Sequence, residues 1–294
     1  MLKAFKDLIG RGRFPNENQR DIIRLSKSES VIALNPVPPK DASGHVKHYY
    51  HFIFDLVLPL SLLIEKTAPK VKFVLCDIGL LTPVLPHFFG KRVQVLQDFN
   101  SLPKEQQVVD LVGMNPIKVD VLTSDFKSFR ESMFGKINFV PTKKPKKILL
   151  IERLPSDEFY LRDSKRRGAG ATRRSIKNHA ELKETIRALV DSKFEFYNVQ
   201  LENMPFEQQI EYFDSAAVVI AQHGAGLANM IWMQEKSNVV EFGFKSKKHF
   251  EKIGSALNIH HFAFDYNERH LEINCTEFSK WLIENKLTRH YFKN

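Results

Sequence analysis

Cysteine is almost absent from this chain. The two in 294 residues, Cys76 and Cys275, lie in an apolar run and in a C-terminal segment. That excludes a disulfide framework and a cysteine-based zinc site, and it suits a reducing compartment. Long apolar runs are missing too: the most apolar one, Phe52 to Ile64, is interrupted by Asp55 and Pro59 and is too short to span a bilayer. The first 24 residues carry a charge every few positions and lack the apolar core of a signal peptide. These absences lead us to expect a soluble, cytoplasmic protein, and they do not exclude a removed anchor. Leu2, Phe5, Leu8 and Ile9, spaced among lysines, suit a docking helix, or in the alternative a helix making peripheral contact with a membrane surface.

Three catalytic signatures are also missing. There is no Gly-x-Ser-x-Gly pentapeptide, so the nucleophile elbow of an α/β hydrolase is excluded. No Gly-x-Gly-x-x-Gly follows the strand at Ile148–Ile151, which argues against a dinucleotide oxidoreductase. No Asp-x-Asp occurs to hold a metal-bound diphosphate. Acidic side chains are in deficit, 34 Asp+Glu against 44 Lys+Arg, for a net charge of +10. Such a balance fits an anionic ligand, nucleic acid, an acidic polymer or an anionic membrane face. The basic residues are spread along the chain without a nucleic-acid-binding signature, so no nucleic-acid partner is expected.

What is present reads as α/β. The length and a 43% hydrophobic content leave room for two domains. In the first part, strands are expected over Ser30–Leu34, Val71–Cys76, Val93–Leu96 and Ile117–Leu122. Phe52, Leu56, Leu60 and Leu63 repeat at helical spacing, so a helix kinked near Pro59 is expected there. On that helix His48, His51 and Asp55, at i, i+3 and i+7, would share one face. Pro141 to Lys147, with two prolines and four lysines, reads as a linker. Beyond it, strands near Ile148–Ile151, Phe194–Val199, Ala216–Ala221, Val239–Phe242 and His261–Phe264 alternate with helices over Asn178–Val190, after Pro205 and from about Lys247 to Leu257. That alternation predicts a parallel, doubly wound sheet with right-handed crossovers.

The segment Ala216–Asn229 organises this second part. A β-branched run ends at His223, passes Gly224-Ala225-Gly226 and enters an apolar stretch that reads as a helix start. Strand, glycine turn and helix together aim free backbone N–H groups and a helix dipole at an anion. A tight turn without a ligand has the same residues. Ligands in such sheets bind beyond the carboxyl ends of the strands. Arg153 lies just past one such end, and Glu241 sits at another, where its carboxylate could accept ribose hydroxyls. His260 and His261 have no partner ligands at metal spacing and read as strand.

Four ordered segments resemble glycosyltransferase family 61. His223-Gly224-Ala225-Gly226-Leu227-Ala228-Asn229 is similar to its His-Gly-Ala-Gly-Leu-Thr-Asn motif, with Ala228 where threonine is usual. Tyr49-Tyr50-His51-Phe52-Ile53-Phe54-Asp55-Leu56 resembles its Tyr-Tyr-His-x-x-x-Asp-Leu segment. Leu150-Ile151-Glu152-Arg153 resembles its strand ending in arginine, Arg173 or Arg174 echoes its arginine pair, and Val239-Val240-Glu241 its Val-Ile-Glu strand.

The resemblance implies a GT-B-like fold, two Rossmann-like domains facing a central cleft, and inverting transfer of xylose, N-acetylglucosamine or a similar sugar from a UDP-sugar to a glycan hydroxyl. Its division here would be 1–143 for the acceptor, 144–275 for the nucleotide sugar, and 276–294 as a C-terminal helix packing back at the junction. Donor contacts would come from Arg153, Arg173, Arg174, His223, Gly224, Ala225, Gly226, Leu227, Asn229 and Glu241. His48 and Tyr49 would meet the acceptor. No metal and no cofactor is expected, the diphosphate being met by backbone N–H groups at Gly224–Leu227, the helix dipole and the arginines. For the base, either His51 oriented by Asp55, or Asp55 alone, can take the acceptor proton. His223 bonds either the donor or the backbone of its own turn. The basic run Arg162–Arg174 is either a solvated loop or a lid over the donor phosphates. The alternative functions are an inactive nucleotide- or glycan-binding protein on the same fold, or a basic nucleic-acid-binding protein.

Overall fold

The computed structural model describes residues 15, 17–37, 46, 48–103, 106–114, 123–155, 170–243, 248–265, 268–285 and 290–293. The chain divides into two compact units, Met1–Phe139 and Val140–Asn294. Both are α/β and built on parallel sheets.

In the first unit the order is α1 (Glu17–Leu25), β1 (Val31–Pro36), α2 (Tyr49–Phe52), a π turn (Ile53–Val57), α3 (Leu58–Glu65), β2 (Lys72–Cys76), α4 (Leu85–Phe89), β3 (Val93–Leu96), β4 (Val108–Leu111) and α5 (Thr123–Lys136). The strands lie in the order β3-β2-β1-β4, every pair parallel. The order reverses between β1 and β4, which makes the gap beyond their carboxyl ends the switch point of this sheet. β4 went unread in the sequence because it is a short edge strand in which only Leu111 is buried. The strand expected at Ile117–Leu122 lies outside the described residues, as do Leu2, Phe5, Leu8 and Ile9.

Pro59 does not simply kink its helix. A proline has no N–H to give to the preceding turn, and here the turn before it widens. Leu58 N–H bonds back five residues to Ile53 C=O, and the segment Ile53–Val57 is π-helical. In that register Phe54 C=O would look to Pro59, which has no donor. Met114, in the segment after β4, supplies its N–H instead, at 2.9 Å. Beyond the π turn, α3 is buried from Leu58 through Leu63, Ser61 included. Phe52, Phe54, Phe88, Phe126 and Phe129 fill the core beside it, Phe88 and Phe129 stacked at 6.2 Å.

In the second unit the order is β5 (Lys147–Glu152), α6 (Gly170–Arg173), β6 (Ser175–Ile176), α7 (His179–Leu189), β7 (Glu195–Gln200), α8 (Phe206–Asp214), β8 (Ala216–Gln222), a 3-10 helix (Ala225–Trp232), β9 (Asn238–Gly243), α9 (His249–Ala256), β10 (His260–Asp265), β11 (His270–Leu271) and α10 (Cys275–Glu284). The main sheet runs β10-β9-β8-β5-β7, all parallel, and its switch point falls between β5 and β8. Every residue of β8 and β9 is buried, which suits the apolar run Ala216–Ala221 of β8, while β9 buries Asn238 and Glu241 as well. α10 is the expected C-terminal helix; its Phe278 and Leu282 join Leu182, Ile186 and Phe242 in the core of this unit. Among the described residues, no helix is long and apolar enough to cross a membrane.

Candidate functional site

At the switch point of the first unit stand His51 and Asp55. His51 Nδ1 and Asp55 Oδ2 are 2.7 Å apart, the side chains 22% and 9% exposed. The π turn sets this pair, because it carries Asp55 in its middle while His51 stays on the ordinary turn before it. Gly113, just past the carboxyl end of β4, lies against Asp55 so closely that a Cβ there would overlap the carboxylate and its Cα. A glycine is what lets that segment reach the helix, and the Met114–Phe54 bond holds it there. With Nδ1–H directed to the carboxylate, the imidazole keeps Nε2 as its basic nitrogen. Tyr50, buried beside the pair, has its phenol pushed well above the ordinary range, first by burial and then by the charge of Asp55.

His48 departs from the expected shared face. Its backbone is extended, and it precedes the helix as the cap position. Its ring still lies 6.3 Å from that of His51. Tyr49 begins the helix and packs 6.1 Å from Phe52.

At the switch point of the second unit two guanidiniums meet one carbonyl. Arg153, one residue past β5, donates Nη1–H to His223 C=O at 3.4 Å, and Arg174 donates to the same oxygen at 3.1 Å. Burial pushes both guanidiniums down to about 10. For Arg153 the charge of Arg173 adds to this while Glu202 opposes it. For Arg174 the neighbours Arg173, Arg153 and Arg269 add to it while Glu241 opposes it. A cluster of buried like charges held together in this way is stabilised by an arriving anion. Of the expected arginine pair, Arg174 is the one that reaches the turn.

The turn itself differs from the expected α-helix start. Gly224 is extended rather than left-handed, and the following segment is a 3-10 helix. Gly224 is needed because a Cβ there would come within 2.8 Å of Arg153 Nη1. The glycine makes room for the guanidinium on which the turn rests. Leu227 N–H is spent on Gly224 C=O at 3.1 Å, and among the described residues the N–H groups of Ala225 and Gly226 have no backbone partner. Leu227 is buried in the core. Asn229 is 1% exposed, donates to Gln209 Oε1 at 3.0 Å and accepts from Trp232 Nε1 at 3.2 Å. Both ends of its amide tie the 3-10 helix down.

Glu241 is likewise engaged within the fold. Its carboxylate is 2% exposed, with Oε1 bonded to His223 Nδ1 and Oε2 to His261 Nε2 at 2.7 Å. Burial alone would raise this carboxyl. The hydrogen bonds and charges of the two histidines outweigh that and hold it below its ordinary value. Glu241 thus bridges His223 and His261. His261 was read as plain strand, and nothing local to it marks this contact, which only the β9–β10 pairing creates. Of the basic run, 162–169 lies outside the described residues, and 170–174 forms α6 and the approach to β6.

The structure thus holds two parallel-sheet units, one presenting a carboxylate-bound histidine and the other paired arginines beside a glycine turn. The family model described as Glycosyltransferase 61 matches residues 49–240, well over half the chain, and the chain belongs to that family. It is accordingly a glycosyltransferase. No curated protein matches the chain. The match opens at Tyr49 and closes one residue before Glu241, so it takes in His51, Asp55, Arg153, Arg174 and the His223–Asn229 turn, and leaves His261 outside.

Proposed function

We propose that this chain is an inverting, metal-independent glycosyltransferase of GT-B type that moves a sugar from a UDP-sugar to a glycan hydroxyl. The observation that carries the reading is the convergence of Arg153 and Arg174 on the His223 carbonyl at the second switch point. There the departing diphosphate would meet two guanidiniums, Arg173 nearby and the free N–H groups of Ala225 and Gly226. The absence of any Asp-x-Asp supports leaving-group stabilisation by these cations in place of a metal.

The base is His51. The acceptor hydroxyl attacks the anomeric carbon, its oxygen–carbon bond forms as the carbon–phosphate-oxygen bond breaks, and the hydroxyl proton passes to His51 Nε2. Asp55 accepts from Nδ1–H and stabilises the imidazolium that results. One displacement inverts the anomeric centre. His48 and Tyr49, at the start of the same helix, would flank the acceptor.

A thermal-shift screen against UDP, GDP, CMP and their sugar conjugates, with and without EDTA, tests this. A rise with UDP-sugars that survives EDTA is expected, since a ligand bound to the folded state alone stabilises it by mass action. A shift abolished by EDTA would overturn the metal-free mechanism, and a shift confined to another nucleotide would overturn the UDP donor.

A further inference from the structure

Beside the arginine pair lies a pocket of about 160 Å³, bounded by Ile151, Glu152, Arg153, Ala171, Ser175, Ile176, His179 and Gln222. Its volume is well below the roughly 300–1,000 Å³ of a site for a drug-sized ligand, so it suits one ring and not a whole nucleoside. Two of its lining residues, Gln222 and Glu152, carry acceptors. Gln222 is 5% exposed, and its amide orientation is fixed by its neighbours: Nε2 donates to the carbonyls of Arg269 at 2.9 Å and Ser175 at 3.4 Å. Carbonyls can only accept, so the nitrogen must face them. Oε1 is then left buried with no hydrogen-bond partner, a state that calls for a donor from outside the chain.

Glu152 supplies the other acceptor. Asn198 and Gln200 both donate to its Oε2, at 2.7 and 3.0 Å, and Asn198 is itself held by His179 at 2.8 Å. Oε1 takes no hydrogen bond among the described residues. Burial alone would raise this carboxyl, yet those amides together with the charges of His179 and Lys183 hold it below its ordinary value, so it is an anion and can only accept. One carboxylate oxygen and one amide oxygen on a small pocket next to a guanidinium ask for a neutral group with two donors, attached to an anion.

We propose that this pocket seats the ribose of the donor nucleotide, with Glu152 Oε1 and Gln222 Oε1 accepting its vicinal hydroxyls while Arg153 meets the adjoining phosphate. This assigns to Glu152 the task that the sequence offered to Glu241. It rests on the reading of the second unit as the donor site.

Isothermal titration of the full chain with UDP, ADP, GDP and CDP comes first. The tightest is then compared with its 2′-deoxy and 3′-deoxy forms, which needs no variant and so no assumption about folding. At least one deoxy form is expected to bind about tenfold more weakly, the loss of a hydrogen bond to a charged acceptor. In Glu152→Gln or Gln222→Met that penalty should shrink to less than about threefold, since the lost partner is shared. Deoxy forms that bind as tightly as their parent, or a penalty unchanged in both variants, would overturn the ribose pocket and leave the donor site standing. No binding by any of the four nucleotides would overturn both.

Discussion

His51 and Asp55 stand four residues apart on one helical segment, whereas Arg153, Arg174, His223, Glu241 and His261 come from five separate segments of the second unit. Both groups sit at the carboxyl ends of parallel strands, where the strand order reverses. The first was assembled by local chain geometry: a proline without a donor, a widened turn and one glycine from a neighbouring loop. The second was assembled by the sheet, which sets the ends of β5 and β8 beside Glu241 within β9 and His261 near the start of β10. Local construction presents one histidine–carboxylate pair on a single helical segment. Construction by the sheet concentrates like charges, which no single segment could hold.

That contrast is broken or sharpened by four measurements, the largest effect first. If the first unit does chemistry and the second binds, His51→Ala should lower kcat by about 10²–10⁴-fold, the usual worth of a general base. Its nucleotide Kd should stay within about twofold. Arg174→Ala should do the reverse, weakening nucleotide binding by about tenfold or more through a lost charge-assisted contact. Nucleotide binding that follows His51, or a kcat that survives its loss, would erase the division of labour.

The glycines offer a finer version. Gly113→Ala drives a methyl into Asp55 and should cost about 1–3 kcal/mol of stability by overpacking, read from denaturant midpoints. Gly224→Ala pushes instead on the far end of the flexible Arg153 side chain, which can shift at the expense of its bond to His223 C=O, so stability should change little and nucleotide affinity should fall. Equal stability losses at both positions would mean that the Arg153 contact is as rigid as the Asp55 one.

Asn229→Ala separates structure from recognition. With both amide ends bonded inside the fold, its loss should cost about 1–3 kcal/mol in stability and leave nucleotide affinity unchanged. A selective loss of affinity would restore Asn229 to the donor site.

The smallest effect is in the pH dependence of stability. Glu241 titrates below its ordinary 4.5 in the fold. A depressed carboxyl contributes stability that is complete above the unfolded value and lost as pH falls through the folded one. The melting temperature of the wild type should therefore drop more steeply below about pH 4.5 than that of Glu241→Gln. Parallel curves would show that the His223–Glu241–His261 arrangement holds no charge in the folded state.

Much of this was legible in the residues. The alternation after Pro141 announced the parallel sheet of the second unit, because strands buried on both faces need continuous apolar runs. The His51–Asp55 pair was visible because residues four apart on a helix are neighbours, although the π turn that sets its geometry was not. Arg153 could be placed at a strand end by counting from Ile148. The internal bonds of Glu241 and Asn229 were not legible for one shared reason: a polar residue in an apolar segment looks available until its partner is known. Their partners lie 20 or fewer residues away along the chain but on different elements. Nothing marked Gln222, whose orphaned oxygen exists only because two carbonyls of the small β6–β11 sheet claim its nitrogen.

Sequence alone determined which residues could carry the chemistry, since periodicity, glycine turns and the missing metal motif are properties of neighbours in the chain. The tertiary structure decided which of them are spent. Hydrogen-bond capacity is finite, and only the folded arrangement shows that Asn229 and Glu241 are already satisfied while Glu152 and Gln222 still have an oxygen to offer.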